Sequence, residues 1–261
     1  MAFTVHAVMP GVWHIVDCMG VCMTLLEGEN AAMLVDTGYG IEDVADFMRH
    51  MTDLPLTVFL THNHHDHAMG ARCFPETYML EADMADWDMF TNDEMRRRVL
   101  TQAIGKNLPV DEKTFLAGEI PLPKVMKPGV IDLGGLTAEI IEAPGHTPGS
   151  AVVYVPERKL LLSGDDWNPC TWLFFPQALG LREYRSNMRG IQQLPFEKVL
   201  CPHREALYDR WMFDDFFNAL TDGNLRAAEP VNIAPYEQID TCQATLPHDQ
   251  VLVFDWAKSG L

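Results

Sequence analysis

No two cysteines of this chain stand in a CxxC arrangement; the six, at 18, 22, 73, 170, 201 and 242, are scattered, and only Cys18 and Cys22 lie near each other. A zinc ribbon, which needs paired CxxC elements, is thereby excluded, and the thiols are expected to stay reduced. Positive charge is scarce as well. Nineteen Lys and Arg face 37 Asp and Glu, for a formal charge of −18. Such a surface repels phosphate backbones, so nucleic acid is not an expected partner. The one basic block, Arg96-Arg97-Arg98, lies beside Asp93 and Glu94 in a helical-looking segment and reads as a solvated helix face. No apolar run approaches the ~18–20 residues that cross a bilayer. The opening MAFTVHAVMPG lacks a basic stretch followed by a long apolar one. No membrane partner is expected, and the cytoplasm is the expected location. Solenoid-type repeats and low-complexity tracts are also missing.

What the chain does have is histidine, concentrated in one place. THNHHDH, residues 61–67, holds four histidines and an aspartate. It follows Leu56-Thr57-Val58-Phe59-Leu60, an apolar run rich in β-formers that reads as a short buried strand. Polar side chains packed at the end of such a strand need partners, because burying them unpaired is costly. A metal ion is the simplest partner for several imidazoles and a carboxylate. In an extended segment, residues two apart point the same way, so His62 and His64 can reach one ion. Asp66 and His67 are adjacent and must turn elsewhere, as they would if Asp66 caps a short helix opening at His67. The geometry favours two neighbouring sites. The isolated His6, His14, His50 and His248 read as structural.

The 261 residues suffice for one large α/β domain with a sizeable core. Strands are expected at Val12–Asp17, Val21–Glu27, Ala31–Asp36, Val130–Leu133, Thr137–Glu142, Ala151–Val155, Lys159–Leu162, Lys198–Cys201 and Gln250–Phe254. Helices are expected at Ile41–Met51, Arg182–Ile191 and Glu205–Leu220. Residues 81–128 are polar, helical in pattern and end in a Pro-rich connection, which suggests an insertion in a single 1–261 domain. Two sheets packed face to face with helices outside satisfy this order. Three strand ends each deliver one metal-capable side chain: His146 in APGHTPGS, Asp165 or Asp166 in SGDD, and His203 after Pro202. Loops at strand ends are where such folds carry chemistry.

THNHHDH followed by Gly70, LVDTG at 34–38, APGHTPGS, LLSGDD and CPHRE together resemble the motif series of the metallo-β-lactamase-fold metallohydrolases, over nearly the whole chain. The resemblance implies an αββα sandwich of two mixed β-sheets with helices on the outer faces. It implies His62, His64 and His146 as ligands of a first metal, Asp66, His67 and His203 as ligands of a second, Asp165 as the bridging carboxylate and Asp36 as a buried residue supporting the loops. His65 falls at a variable position of the motif. Two zinc ions per chain are expected, with iron or manganese compatible with the all-N/O donor set. Two such cations about 3.5–4 Å apart hold a hydroxide between them, and Asp66 would orient it and act as general base.

True β-lactamases of this fold usually lack the bridging aspartate, so the resemblance points to the glyoxalase II-like and lactonase-like branch. It departs from both, with Glu205 two residues past the last histidine and Asn168 three past the bridging aspartate, where those branches place tyrosines. The expected substrate is a small ester, thioester or lactone with an apolar portion. Trp167, Trp172, Phe174 and Phe175 read as its apolar wall, and Trp87, Met89 and Phe90 as a lid. The alternative use of these aromatics is to pack the core or a dimer contact, so a homodimer is compatible. An iron-dependent oxidoreductase of the persulfide dioxygenase kind and a phosphodiesterase are the competing readings.

Overall fold

In the computed structural model, which describes residues 3–261, the chain runs through strands β1 (Thr4–Met9), β2 (Val12–Val16), β3 (Cys22–Glu27), β4 (Ala32–Val35), β5 (Leu56–Phe59), β6 (Tyr78–Met79) and β7 (Lys124–Val125), which pair in that order as one sheet. The first four form an antiparallel meander; β4 to β7 are parallel. All four residues of β4 are buried, as an unbroken apolar strand covered on both faces must be. Further strands follow as β8 (Gly129–Asp132), β9 (Thr137–Glu142), β10 (Ala151–Val155), β11 (Leu160–Leu162), β12 (Cys170–Leu173), β13 (Lys198–Leu200), β14 (Tyr208–Asp209), β15 (Glu229–Pro230), β16 (Thr241–Leu246) and β17 (Gln250–Asp255). A second sheet has the order β14-β13-β11-β10-β9-β8.

The two large sheets face each other. Leu26, Met33, Val35 and Phe59 from the first interdigitate with Ile140, Val153, Leu162 and Leu200 from the second. Helix α1 (Val44–Met51) covers the outer face of the first sheet, setting Val44 and Met48 against Ile15, Leu34 and Val58. Beyond the second sheet lie α6 (Leu181–Ile191) and α7 (Arg210–Ala219), whose Tyr184, Met188, Phe213 and Phe216 pack with Val152, Leu161 and Val199. This is the expected sandwich. A smaller sheet, β12-β17-β16-β15, joins the same outer layer; its strands β12, β15 and β16 have no counterpart in the sequence reading.

Strand direction places the segments that carry His146, Asp165 and His203. Both β9 and β11 run antiparallel to β10, and β11 is parallel to β13. The segments that follow β9, β11 and β13 therefore emerge at one edge of the second sheet. The end of β5 meets them there, since Ala151 donates its N–H to the Thr61 carbonyl at 3.0 Å.

Residues 81–128 carry α3 (Trp87–Thr91), α4 (Asp93–Gly105) and α5 (Glu112–Phe115), and then β7, which joins the first sheet. Trp87, Val99, Leu100 and Phe115 pack on Leu60, Met69 and Met79, so this segment shares a core with the histidine stretch. Among the described residues, no helix is long and apolar enough to cross a membrane.

Three expectations need correction. Helix α1 begins at Val44, not Ile41, because Asp43 caps it by accepting the Asp46 N–H. The helix expected from Glu205 begins at Arg210, because Tyr208 and Asp209 pair with β13. Arg96 is not on a solvated face: it is 1% exposed and donates to the carbonyls of Phe115, Ala117 and Gly118. Those acceptors lie well downstream of α4's own turns, beyond any local pattern. Arg96→Ala should cost about 3 kcal/mol in a denaturant titration, because one buried and two partly buried carbonyls lose a charged donor and the buried arginine stem leaves a void. Arg97→Ala, on the exposed side of α4, should stay within about 0.5 kcal/mol of the parent.

Candidate metal centre

The site is built on backbone that carries local strain. Asp36, at the end of β4, has φ 64°, a left-handed conformation uncommon outside glycine and typical of positions that structure holds for function. The turn aims its carboxylate at the next strand end. It accepts the Thr61 N–H at 2.7 Å, the Thr61 hydroxyl, and His67 Nδ1–H at 3.0 Å. Thr37 adds its own N–H and hydroxyl, both 2.8 Å from the His67 carbonyl. Only glycine fits at 70, where a Cβ would lie 2.2 Å from the Thr37 carbonyl oxygen.

Helix α2 (His65–Ala68) opens at His65 and not at His67, with His64 at its cap position and no side-chain cap bond. Asp66 does not cap this helix; its carboxylate is turned to the cluster, 3.7 Å from both His67 Nε2 and His203 Nε2.

Donor atoms converge in three overlapping groups: His62, His64 and His146; His62, His67 and Asp165; Asp66, His67 and His203. Within each group they lie no more than 4.8 Å apart. Asp165 Oδ2 is the common point, 3.1 Å from His203 Nε2 and 3.5 Å from the Nε2 atoms of His67 and His146. His146 Nε2 and His64 Nδ1 are 2.8 Å apart. His62 Nε2, His67 Nε2 and Asp165 Oδ1 are buried with no hydrogen-bond partner. Buried polar atoms are normally paired, and orphans that converge on one point fit divalent cations. All seven residues named from the sequence come together here.

The far side of each ring is held in turn. His146 Nδ1 donates to the Trp172 carbonyl at 2.6 Å, His67 Nδ1 to Asp36, and His62 Nδ1 is 3.1 Å from the Thr61 hydroxyl. His64 Nε2 faces the Gln177 amide. Such partners fix ring orientation and tautomer. Asp166 faces away from Asp165: buried, it accepts the His146 N–H at 3.0 Å.

Electrostatics leaves five of the seven groups in ligand form: His62, His64 and His146 neutral, Asp66 and Asp165 ionised. Burial, reinforced by neighbouring imidazoles, holds His62 and His64 well below the usual histidine range, and burial lowers His146 too. Burial opposes a charge on Asp66, but His67, His65 and His203 outweigh it and hold the carboxyl at about 2. Asp165 is likewise held well below the carboxylate range by His203 and His67 against its burial. Burial also opposes a proton on His67, yet Asp165, Asp66 and Asp36 raise it well above the usual range. Against its burial, His203 is raised as well, by Asp165 and Asp66, so the carboxylates favour positive charge on both of these imidazoles, where a cation would otherwise supply it.

The centre opens into a cavity of about 530 Å³, within the range of small-molecule sites. Trp172 and Phe175 line it, as expected. Trp167 and Phe174 do not. Both are fully buried, Trp167 against Tyr208 and Phe213, and Phe174 behind Phe175 and Tyr236. Of the expected lid, Phe90 lines the cavity, Met89 lines an adjoining one, and Trp87 is buried in the helical segment. Tyr39, Asp83, Gln177 and Tyr236 were not singled out from the sequence. Only Tyr39, directly after LVDTG, had a motif beside it.

A family model described as the Metallo-beta-lactamase superfamily matches residues 16–203. The chain is 26% identical over 200 residues to the acyl-coenzyme A thioesterase MBLAC2 of Gallus gallus, covering 69% of this chain and 70% of that protein. Among solved structures it is similar to a metallo-beta-lactamase family protein from Thermus thermophilus, with a TM-score of 0.61, 19% identity, and 85% of this chain and 82% of that one covered. It is also similar to the sec-alkylsulfatase Pisa1 from Pseudomonas sp., with a TM-score of 0.63 and 15% identity, covering 86% of this chain and 43% of the sulfatase. These structural likenesses speak for the fold.

Chelator-stripped protein should gain stability as zinc or manganese is returned. At about a thousandfold excess over Kd the gain is about 4 kcal/mol, a rise in Tm of about 10 °C for a chain of this size, readable by scanning calorimetry. Asp165→Ala should remove most of that rise.

Proposed function

The chain belongs to the metallo-beta-lactamase superfamily and is a metal-dependent hydrolase, and we propose that it works with two divalent ions on a thioester whose acyl part is apolar, with small esters and lactones as related substrates. The carrying observation is Asp165 Oδ2, within 3.5 Å of His67, His146 and His203 at the floor of a cavity with an aromatic wall. His62, His64 and His146 would hold one ion, Asp66, His67 and His203 the other, and Asp165 both. The similarity to an acyl-coenzyme A thioesterase supports a thioester within the ester, thioester and lactone group.

Bound there, divalent cations supply an activated water and polarise the scissile carbonyl. The chain's own residues do the rest. Asp66, ionised and partly open to the cavity, accepts the proton of a water aligned against the carbonyl carbon. Tyr39 lines the same floor, and burial keeps its phenol protonated, so it offers a donor. Phe90, Met95, Trp172, Phe175 and Tyr236 take the acyl part and keep bulk water from it. Each methylene buried there is worth about 0.8 kcal/mol.

Asp66→Asn should lower kcat by about 10²–10⁴-fold on a thioester, with the fold and the ion at His62, His64 and His146 retained and the ion at His67 and His203 held more weakly. Across S-acyl thioesters of increasing length, KM should fall by up to about fourfold per methylene until the cavity is full. Undiminished turnover by the Asn variant would sink the role of Asp66. Failure of the metal-loaded parent on every thioester, ester and lactone would sink the substrate class.

A further inference from the structure

We propose that Asp83 is the positioning residue of the first cluster, a buried carboxylate that ties the loop carrying His62 and His64 to the loop carrying His146; this rests on the reading of those three histidines as ligands. Asp83 follows β6 at the start of the helical segment and is 1% exposed. One of its oxygens accepts the Gly149 N–H. The other accepts the Thr147 hydroxyl at 2.7 Å and the Asn63 N–H at 3.2 Å. Its backbone carbonyl accepts the Asn63 side-chain amide at 2.9 Å. Asn63 stands between His62 and His64, and Thr147 is next to His146.

The approach is built for this contact. A Cβ on Gly149 would lie 2.6 Å from the Asp83 nitrogen and 2.7 Å from its Cγ, so only glycine lets the carboxylate reach the loop. Thr147 is itself oriented, with its hydroxyl 2.9 Å from that of Ser150.

Only the first cluster has this anchor; Asp36 serves both, through His67 of the second and through Thr61, whose hydroxyl meets His62 of the first. Asp36 grips Thr61 and His67 from the end of β4. Asp83 grips Asn63, Thr147 and Gly149 from the other side. A carboxylate that merely stabilised the fold would weaken both clusters alike when removed. One that positions the first cluster would weaken it alone.

The test is a calorimetric titration of chelator-stripped full-length protein with Co²⁺. His146→Ala and His203→Ala identify which binding event belongs to which cluster. Asp83→Ala should weaken the event lost in His146→Ala by about 10–100-fold, leaving the other within about threefold. Asp83→Asn, which keeps one acceptor, should fall between. Gly149→Ala, which leaves the carboxylate in place but pushes the loop off it, should reproduce the selective loss and serves where Asp83→Ala does not fold. Equal weakening of both events, or none, in a folded variant would overturn the proposal. A parent that takes a single Co²⁺ defeats the two-ion reading instead. Asp83 then still stands if that ion is lost in His146→Ala and weakened in Asp83→Ala, and falls if it is lost in His146→Ala and unmoved by Asp83→Ala.

Discussion

Three atoms at the centre of this protein, His62 Nε2, His67 Nε2 and Asp165 Oδ1, are buried without hydrogen-bond partners, and much of the architecture can be understood as holding them that way. Orphaned polar groups cost of the order of 1–3 kcal/mol each, and a fold tolerates several side by side only if something else compensates. Around them the supporting polar groups are tied down. Imidazole nitrogens facing away from the centre bond to Asp36, Trp172 and Thr61. The loop carbonyls and amides bond to one another. What is left over is a set of lone pairs aimed inward, the arrangement a cation requires and a hydrophobic core would never keep.

The seven clustered residues were legible in the sequence because their signals are local. The histidine stretch is read along one strand end, and each remaining one sits in a loop marked by Pro or Gly directly after an apolar strand. The helical segment's detail and the cavity walls were less legible, for physical reasons that differ. In β12 the period of two sends Thr171 and Leu173 inward and leaves Trp172 half-exposed, so an aromatic run does not report which rings meet the substrate. Trp167 and Phe174 went to the outer core beside residues from α7 and the segment near Tyr236. Arg96 looks like its exposed neighbours in sequence and differs only because carbonyls near Gly118 close over it. Asp83 has no motif around it; its meaning comes from two loops distant in sequence, one before it at Asn63 and one far after it at Thr147.

Charge separates into two scales. The surface is strongly acidic, yet Arg98 and Arg204 line the cavity beside Asp66 and Asp165, so cationic groups stand at the cavity despite the negative mean charge of the molecule. A net charge argues about encounter and solubility, whereas recognition is decided by the few groups within a Debye length of the ligand, about 8 Å at physiological ionic strength. The overall charge therefore does not exclude a substrate that carries an anionic group far from its scissile bond.

The helical segment brings these threads together. It contributes Phe90, Met95 and Arg98 to the cavity, and it shares a core with the histidine stretch through Trp87, Leu100 and Met69. Its first turn supplies Asp83, which touches both loops of the first cluster. Wall and metal loops are thus mounted on one packed unit, and interiors at native density transmit displacement instead of absorbing it. A substitution that reshapes the cavity wall from within this segment also shifts the frame that aligns His62, His64 and His146. Cavity shape and the alignment of the three histidines are then not independent properties of this chain, because both rest on the same few contacts.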